Sequence, residues 1–149
     1  MKLINLIENK PVEGGLRYEH GLSFYVETQK HRLLIDTGAS DAFLYNADML
    51  GVDLSRVDTV ILSHGHYDHT GGVLAFAQRN PQANIYLQKT AGAEYYHKDA
   101  QSERYIGIDK RILALPQVHL MDGNYVIDDG ISVFTHVTGK KLWPVGNHA

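Results

Sequence analysis

The segment Ser63-His64-Gly65-His66-Tyr67-Asp68-His69-Thr70-Gly71-Gly72 holds three imidazoles and one carboxylate within six positions. Neutral imidazole is the commonest protein ligand for metals, and carboxylate oxygen is a frequent companion. Four such side chains this close cannot all point one way on a strand or along a helix. In a tight loop they fan into two groups, His64 with His66 and Asp68 with His69. Two adjacent metal sites need that arrangement. Nitrogen and oxygen donors without sulfur suit Zn²⁺, Fe or Mn and do not choose among them. Gly65 keeps the turn sterically open, and Gly71-Gly72 let the next helix approach the loop closely.

A buried strand must deliver this loop and a helix must receive it. Residues 58–63 contain the continuous apolar run Val60-Ile61-Leu62, which suits a strand covered on both faces. Residues 70–80 read as a helix stopped by Pro81. The carboxyl end of a strand in an open α/β sheet is where ligands gather. Upstream, residues 3–7 form a short strand, and residues 22–27 and 32–36 form a hairpin. Ser40 caps a helix over residues 41–50 that presents Phe43, Ala47 and Leu50 on one face and ends at Gly51. Downstream, residues 84–88 form a strand and Thr90 caps a short helix to Tyr96. Residues 98–117 read as mixed loop and short helix. Residues 118–121, 125–127 and 131–135 read as a meander with turns at Asp122-Gly123 and Asp128-Asp129-Gly130. The order predicts an α/β fold with a mixed sheet and helices on one face.

Composition excludes several classes. The 149 residues, 44% hydrophobic and 21% charged with net charge −3, describe a globular chain and not a disordered tail. Fourteen basic against 17 acidic side chains leave no nucleic-acid footprint. The absence of cysteine removes disulfides, thiolate metal sites and a cysteine nucleophile. No run is long enough for a signal-peptide core or a membrane helix, so a cytoplasmic protein without membrane association is expected.

The metal-ligand segment resembles the signature of the metallo-β-lactamase superfamily. Leu34-Ile35-Asp36-Thr37-Gly38 resembles that superfamily's earlier strand-end motif. Glu19-His20-Gly21-Leu22-Ser23 and Tyr105-Ile106-Gly107-Ile108 are similar to one branch, the dihydropterin-type ribofuranosyl-aminobenzene phosphate synthases and related hydrolases. The resemblance implies a four-layer αββα sandwich of two similar halves, with the active site along one edge. It implies that His64 and His66 hold a first metal, and that Asp68 and His69 hold a second. Asp68 then counts as catalytic as well as ligand. Asp36 orients the ligand loop from behind, His20 is the candidate substrate contact, and a bridging hydroxide is the nucleophile. The expected activity is metal-dependent hydrolysis of a phosphoester- or ester-type small molecule.

In that family the remaining ligands come from the second half. Residues 1–138 therefore read as the N-terminal half of the domain, and residues 139–149 as a polar tail leading to an absent half. The expected partner is a second copy of the chain or a separate C-terminal half. The alternative is a non-catalytic metal-binding or interaction module. Outside the loop, His119, His136 and His148 are weighed as replacement ligands against ordinary hydrogen-bonded or tail histidines. Tyr95-Tyr96-His97-Lys98 is weighed as a substrate-channel lining or phosphate contact against packed tyrosines and a solvated Lys98, and Lys140-Lys141-Leu142-Trp143-Pro144 as a phosphate-binding piece against a mobile segment or a contact to the absent half.

Overall fold

The computed structural model describes residues 1–135. A six-stranded mixed sheet forms its centre. The strands are β1 (Lys2–Ile7), β2 (Ser23–Glu27), β3 (Arg32–Ile35), β4 (Thr59–Ile61), β5 (Asn84–Gln88) and, after two intervening strands, β8 (Val118–Met121). Sheet order follows chain order, β1-β2-β3-β4-β5-β8. The first three strands run antiparallel, and β3, β4, β5 and β8 run parallel. The parallel half puts the carboxyl ends of β3, β4 and β5 along one edge.

Helix α1 (Ala42–Met49) crosses from β3 toward β4, and α3 (Val73–Arg79) crosses from β4 to β5. Phe43, Ala47, Val73 and Phe76 are buried against Leu34, Val60, Leu62 and Ile85. Val60 and Leu62 thus face the helices, while Ile61 points to the opposite face and is half-buried. On that opposite face Phe24, Val26, Ile35 and Ile61 are only partly covered by the described residues. The expected helix face and the mixed sheet are both present.

Several boundaries differ from the sequence reading. The helix expected over 70–80 is two pieces, α2 (Tyr67–Thr70) and α3, separated at Gly71 and Gly72. Asp68 and His69 therefore sit on a helical turn and not in open loop. Ser40 does not cap α1 directly; Asp41 holds the cap position without a side-chain bond, and the Ser40 hydroxyl accepts the Ala42 N–H. Leu50, expected on the inner face of α1, is its exposed C-terminal cap. The helix expected after Thr90 shrinks to the 3₁₀ turn Lys89–Gly92. The region expected as loop and short helix contains a hairpin, β6 (Tyr96–Lys98) with β7 (Glu103–Tyr105), and the 3₁₀ turn Lys110–Ala114. The expected meander divides. β8 joins the main sheet beside β5, while among the described residues β9 (Tyr125–Val126) and β10 (Ser132–Val133) pair only with each other. Apolar alternation identifies a strand but not its neighbour, and the neighbour is a tertiary choice. The boundary expected at residues 138/139 lies outside the described residues.

Candidate metal centre

Parallel pairing of β3 with β4 brings the two motifs together. Beyond the Ile35–Ile61 register pair, the Asp36 N–H donates to the Ile61 carbonyl at 3.0 Å. Asp36 sits at φ +55°, a left-handed conformation that aspartate tolerates better than most residues. Its carboxylate is 2% exposed and has three donors. The Ser63 N–H donates to Oδ1 at 2.8 Å, the Ser63 hydroxyl donates to Oδ2 at 2.7 Å, and His69 Nδ1 lies 2.7 Å from Oδ2. One buried side chain thus fixes the start of the loop and one of its imidazoles.

With Nδ1 committed to Asp36, Nε2 of His69 is the nitrogen left for a ligand, the usual arrangement behind a metal-binding histidine. It lies 3.5 Å from Asp68 Oδ2. One donor atom each from His64, Asp68 and His69 falls within 4.8 Å of the others. His66 stands beside this trio, its ring 4.6 Å from that of His64 and 5.2 Å from that of Tyr95. The expected pairs, His64 with His66 and Asp68 with His69, thus lie side by side, as the donors of two adjacent metals would. The turn of α2 swings Asp68 and His69 toward His64, whose ring centre is 4.2 Å from that of His69. His20 approaches from the loop before β2. Its Nε2 is 3.3 Å from Asp68 Oδ2, with the side chain 71% exposed.

The two imidazoles of the trio are tuned in opposite directions. Burial, followed by the neighbouring His69 and His66 rings, holds His64 below the ordinary imidazole range. The hydrogen bond that His69 donates to Asp36 raises His69, against the opposing effect of burial. Among the described residues the donors are nitrogen and oxygen, clustered and half-buried at the carboxyl edge of the sheet. They suit a divalent metal ion.

The loop is held on every side. A Cβ on Gly65 would overlap the Ala91 carbonyl, and one on Gly71 would overlap the Ala39 carbonyl, so both positions need glycine for backbone approach. The Thr37 N–H and hydroxyl both donate to the His69 carbonyl, at 2.8 and 3.1 Å. Glu19 takes hydrogen bonds from the Ala39 N–H, the Ser40 N–H and the Ser40 hydroxyl, which holds the turn against which Gly71 rests. The Tyr67 N–H donates to the Ile106 carbonyl at 2.9 Å, and His66 bridges to Gly107. Sequence reasoning had no role for Ser63, Thr37 or Glu19, though each lies in a segment it singled out. Their partners are up to about thirty residues away, and spacing does not reveal them.

A cleft of about 290 Å³ opens beside the trio, bounded by Ser63, His64, Tyr95, Phe134 and Thr135. Tyr95 is therefore near the site, while Lys98 pairs at 3.5 Å with Glu103 on the exposed hairpin. His119 is elsewhere: it stacks on Tyr86 and meets Asn84 Oδ1 at 2.8 Å. His136, His148 and the segment from Lys140 to Trp143 lie outside the described residues. Among the described residues no helix is long and apolar enough to cross a membrane.

Residues 17–147 match the family described as the metallo-beta-lactamase superfamily. An uncharacterized protein of Methanocaldococcus jannaschii is 33% identical over 128 residues, which is 80% of this chain and 47% of that protein. The 7,8-dihydropterin-6-methyl-4-(beta-D-ribofuranosyl)-aminobenzene-5'-phosphate synthase of the same organism is 42% identical over 60 residues, 37% of this chain and 20% of the synthase. A solved metal-dependent hydrolase of the beta-lactamase superfamily superposes with a TM-score of 0.67 at 31% identity, covering 85% of this chain and 44% of that one. The chain spans half or less of the length of these relatives.

Proposed function

The chain belongs to the metallo-beta-lactamase superfamily, and from that premise we propose that it contributes the first ligand set of a divalent-metal hydrolase acting on an ester- or phosphoester-type small molecule. The observation that carries this reading is the trio His64, Asp68 and His69, with donors within 4.8 Å and one imidazole oriented by buried Asp36. His66, one ring away from His64, completes the set of four. Zinc suits these donors, and iron or manganese would also fit. A divalent metal bound there supplies Lewis acidity, which activates water and polarises the scissile bond.

The remaining steps belong to this chain's own residues. Asp36 keeps the His69 proton on Nδ1, so that Nε2 faces the centre. Asp68, within 3.5 Å of both the His69 and His20 Nε2 atoms, is a carboxylate ligand able to hold a proton in transit. His20, exposed at the rim, is the substrate contact. Four protein ligands are fewer than two catalytic metals use. The rest are supplied from outside the described residues, by further chain or by a second copy seated over the partly covered face of the sheet.

The test is metal uptake. Cobalt titrated into the chelator-treated chain, followed by visible absorption, should bind at least one equivalent. His69→Ala and Asp68→Ala should each weaken that binding by on the order of 100-fold or more. Uptake unchanged in both variants would overturn the assignment. The loaded protein is then assayed against chromogenic phosphodiester and carboxylic ester substrates, with size-exclusion chromatography run alongside.

A further inference from the structure

His31 lies at the turn between β2 and β3, away from the metal centre, with its side chain 17% exposed. Both ring nitrogens meet carboxylates. Nδ1 is 3.1 Å from Asp58 Oδ1 and Nε2 is 2.8 Å from Asp128 Oδ2. The two carboxylates belong to different parts of the molecule.

Asp58 is fixed to the sheet. It accepts the Arg32 N–H at 2.7 Å and the Thr59 hydroxyl at 2.7 Å, at the start of β3 and β4. Asp128 sits in the turn of the β9–β10 hairpin, where its Oδ1 accepts the Gly130 and Ile131 N–H groups. Among the described residues that hairpin joins no other strand. Among the described residues its further ties to the body include the Lys30–Asp129 ion pair at 2.5 Å, the Tyr125 ring 6.0 Å from that of Tyr86, and buried Ile131. The chain leaving β10 passes directly to Phe134 and Thr135, which bound the cleft beside His64.

We propose that His31 is a positioning residue, a clamp between Asp58 and Asp128 that holds the β9–β10 hairpin on the sheet and so sets the wall of the active-site cleft at Phe134 and Thr135. The cleft's role as a substrate site rests on the function proposed above; the clamp itself does not. Releasing His31 takes away support from the sheet, and a two-stranded hairpin without such support is marginal in water, so its own bonds open more often.

Hydrogen exchange on the metal-free chain tests this at two amides that do not use the Asp128 carboxylate. The Ile127 N–H donates to the Ile131 carbonyl, and the Thr135 N–H donates to Asn124 Oδ1. In His31→Gln and in Asp128→Asn, both amides should exchange about tenfold faster, with α3 and β5 unchanged. Asp128→Asn alters an exposed turn and keeps the fold. The double variant should exchange no faster than either single one, since both remove the same contact. Additive effects, unchanged hairpin amides, or acceleration spread evenly over α3 and β5 would each overturn the clamp. Cobalt affinity, read on the same variants, should stay at the wild-type value. Failure of wild-type cobalt uptake would sink the hydrolase reading and leave the exchange result decisive for the clamp.

Discussion

Two aspartate–histidine pairs stand at opposite ends of the same parallel strands. Asp36 follows β3 and holds His69; Asp58 precedes β4 and holds His31. In both, a carboxylate faces Nδ1 and so directs Nε2 outward. The surroundings then separate them. Asp36 is 2% exposed, and its partners are a backbone N–H, a hydroxyl and an imidazole. Asp58 has a side chain 42% exposed. Nε2 of His69 looks toward a second imidazole and a carboxylate, whereas Nε2 of His31 is closed by Asp128. The same local chemistry offers a candidate ligand where the outer nitrogen is left open among other donors. It makes a clamp where a second carboxylate closes it.

The sharpest way to break this contrast is Asp36→Asn. Asparagine keeps the shape and tolerates the left-handed backbone, but it removes the charge from a buried pair. The expected loss is about 3 kcal/mol in urea denaturation, with metal affinity falling about 10- to 100-fold by cobalt titration. Asp58→Asn is the matched change at the other end. It should cost about 1–2 kcal/mol, because water reaches this carboxylate. Metal affinity should not move, and a fall in affinity would erase the distinction between the two ends.

A smaller effect is expected in the pH dependence of metal-free stability, read as the urea midpoint in chelator. His69 has a raised folded-state pKa. Its stabilisation is fully present below the unfolded imidazole value of about 6.5 and is lost as pH rises through the raised value. His64 has a lowered one. Its neutral form is favoured in the fold, so stability from this ring is present above about 6.5 and is lost as pH falls through the lowered value. The two rings together give a maximum near pH 6.5. Asp36→Asn should flatten the upper limb. The smallest change is Lys30→Ala. It removes an exposed ion pair with Asp129, and thermal denaturation should register less than about 0.5 kcal/mol.

The metal loop and its preceding strand were legible because each is a local signal, whereas the Asp36 motif was legible only through its resemblance to the family's. Donor residue types crowd a short stretch, and an apolar run ends where they begin. The same reading split the donors into two pairs, since spacing in an extended loop separates His64 from His69. The helical turn at Tyr67–Thr70 brings them together. Ser63, Thr37 and Glu19 were present in the quoted motifs without a role. Their partners depend on which strand lies next to which, and β8 illustrates the same gap: its apolar pattern is evident, its place beside β5 is not.

By itself, then, the sequence determined the kind of chemistry, the ligand types and the mixed α/β frame. These follow from side-chain identity and from periodicity, both properties of neighbouring residues. Tertiary structure alone decided which donors lie close together, which nitrogen of His69 Asp36 occupies, and that a second aspartate–histidine pair meets a further carboxylate. Those outcomes depend on burial and on contacts between distant segments, such as His31 with Asp128, where only the packed chain sets distance and solvent access.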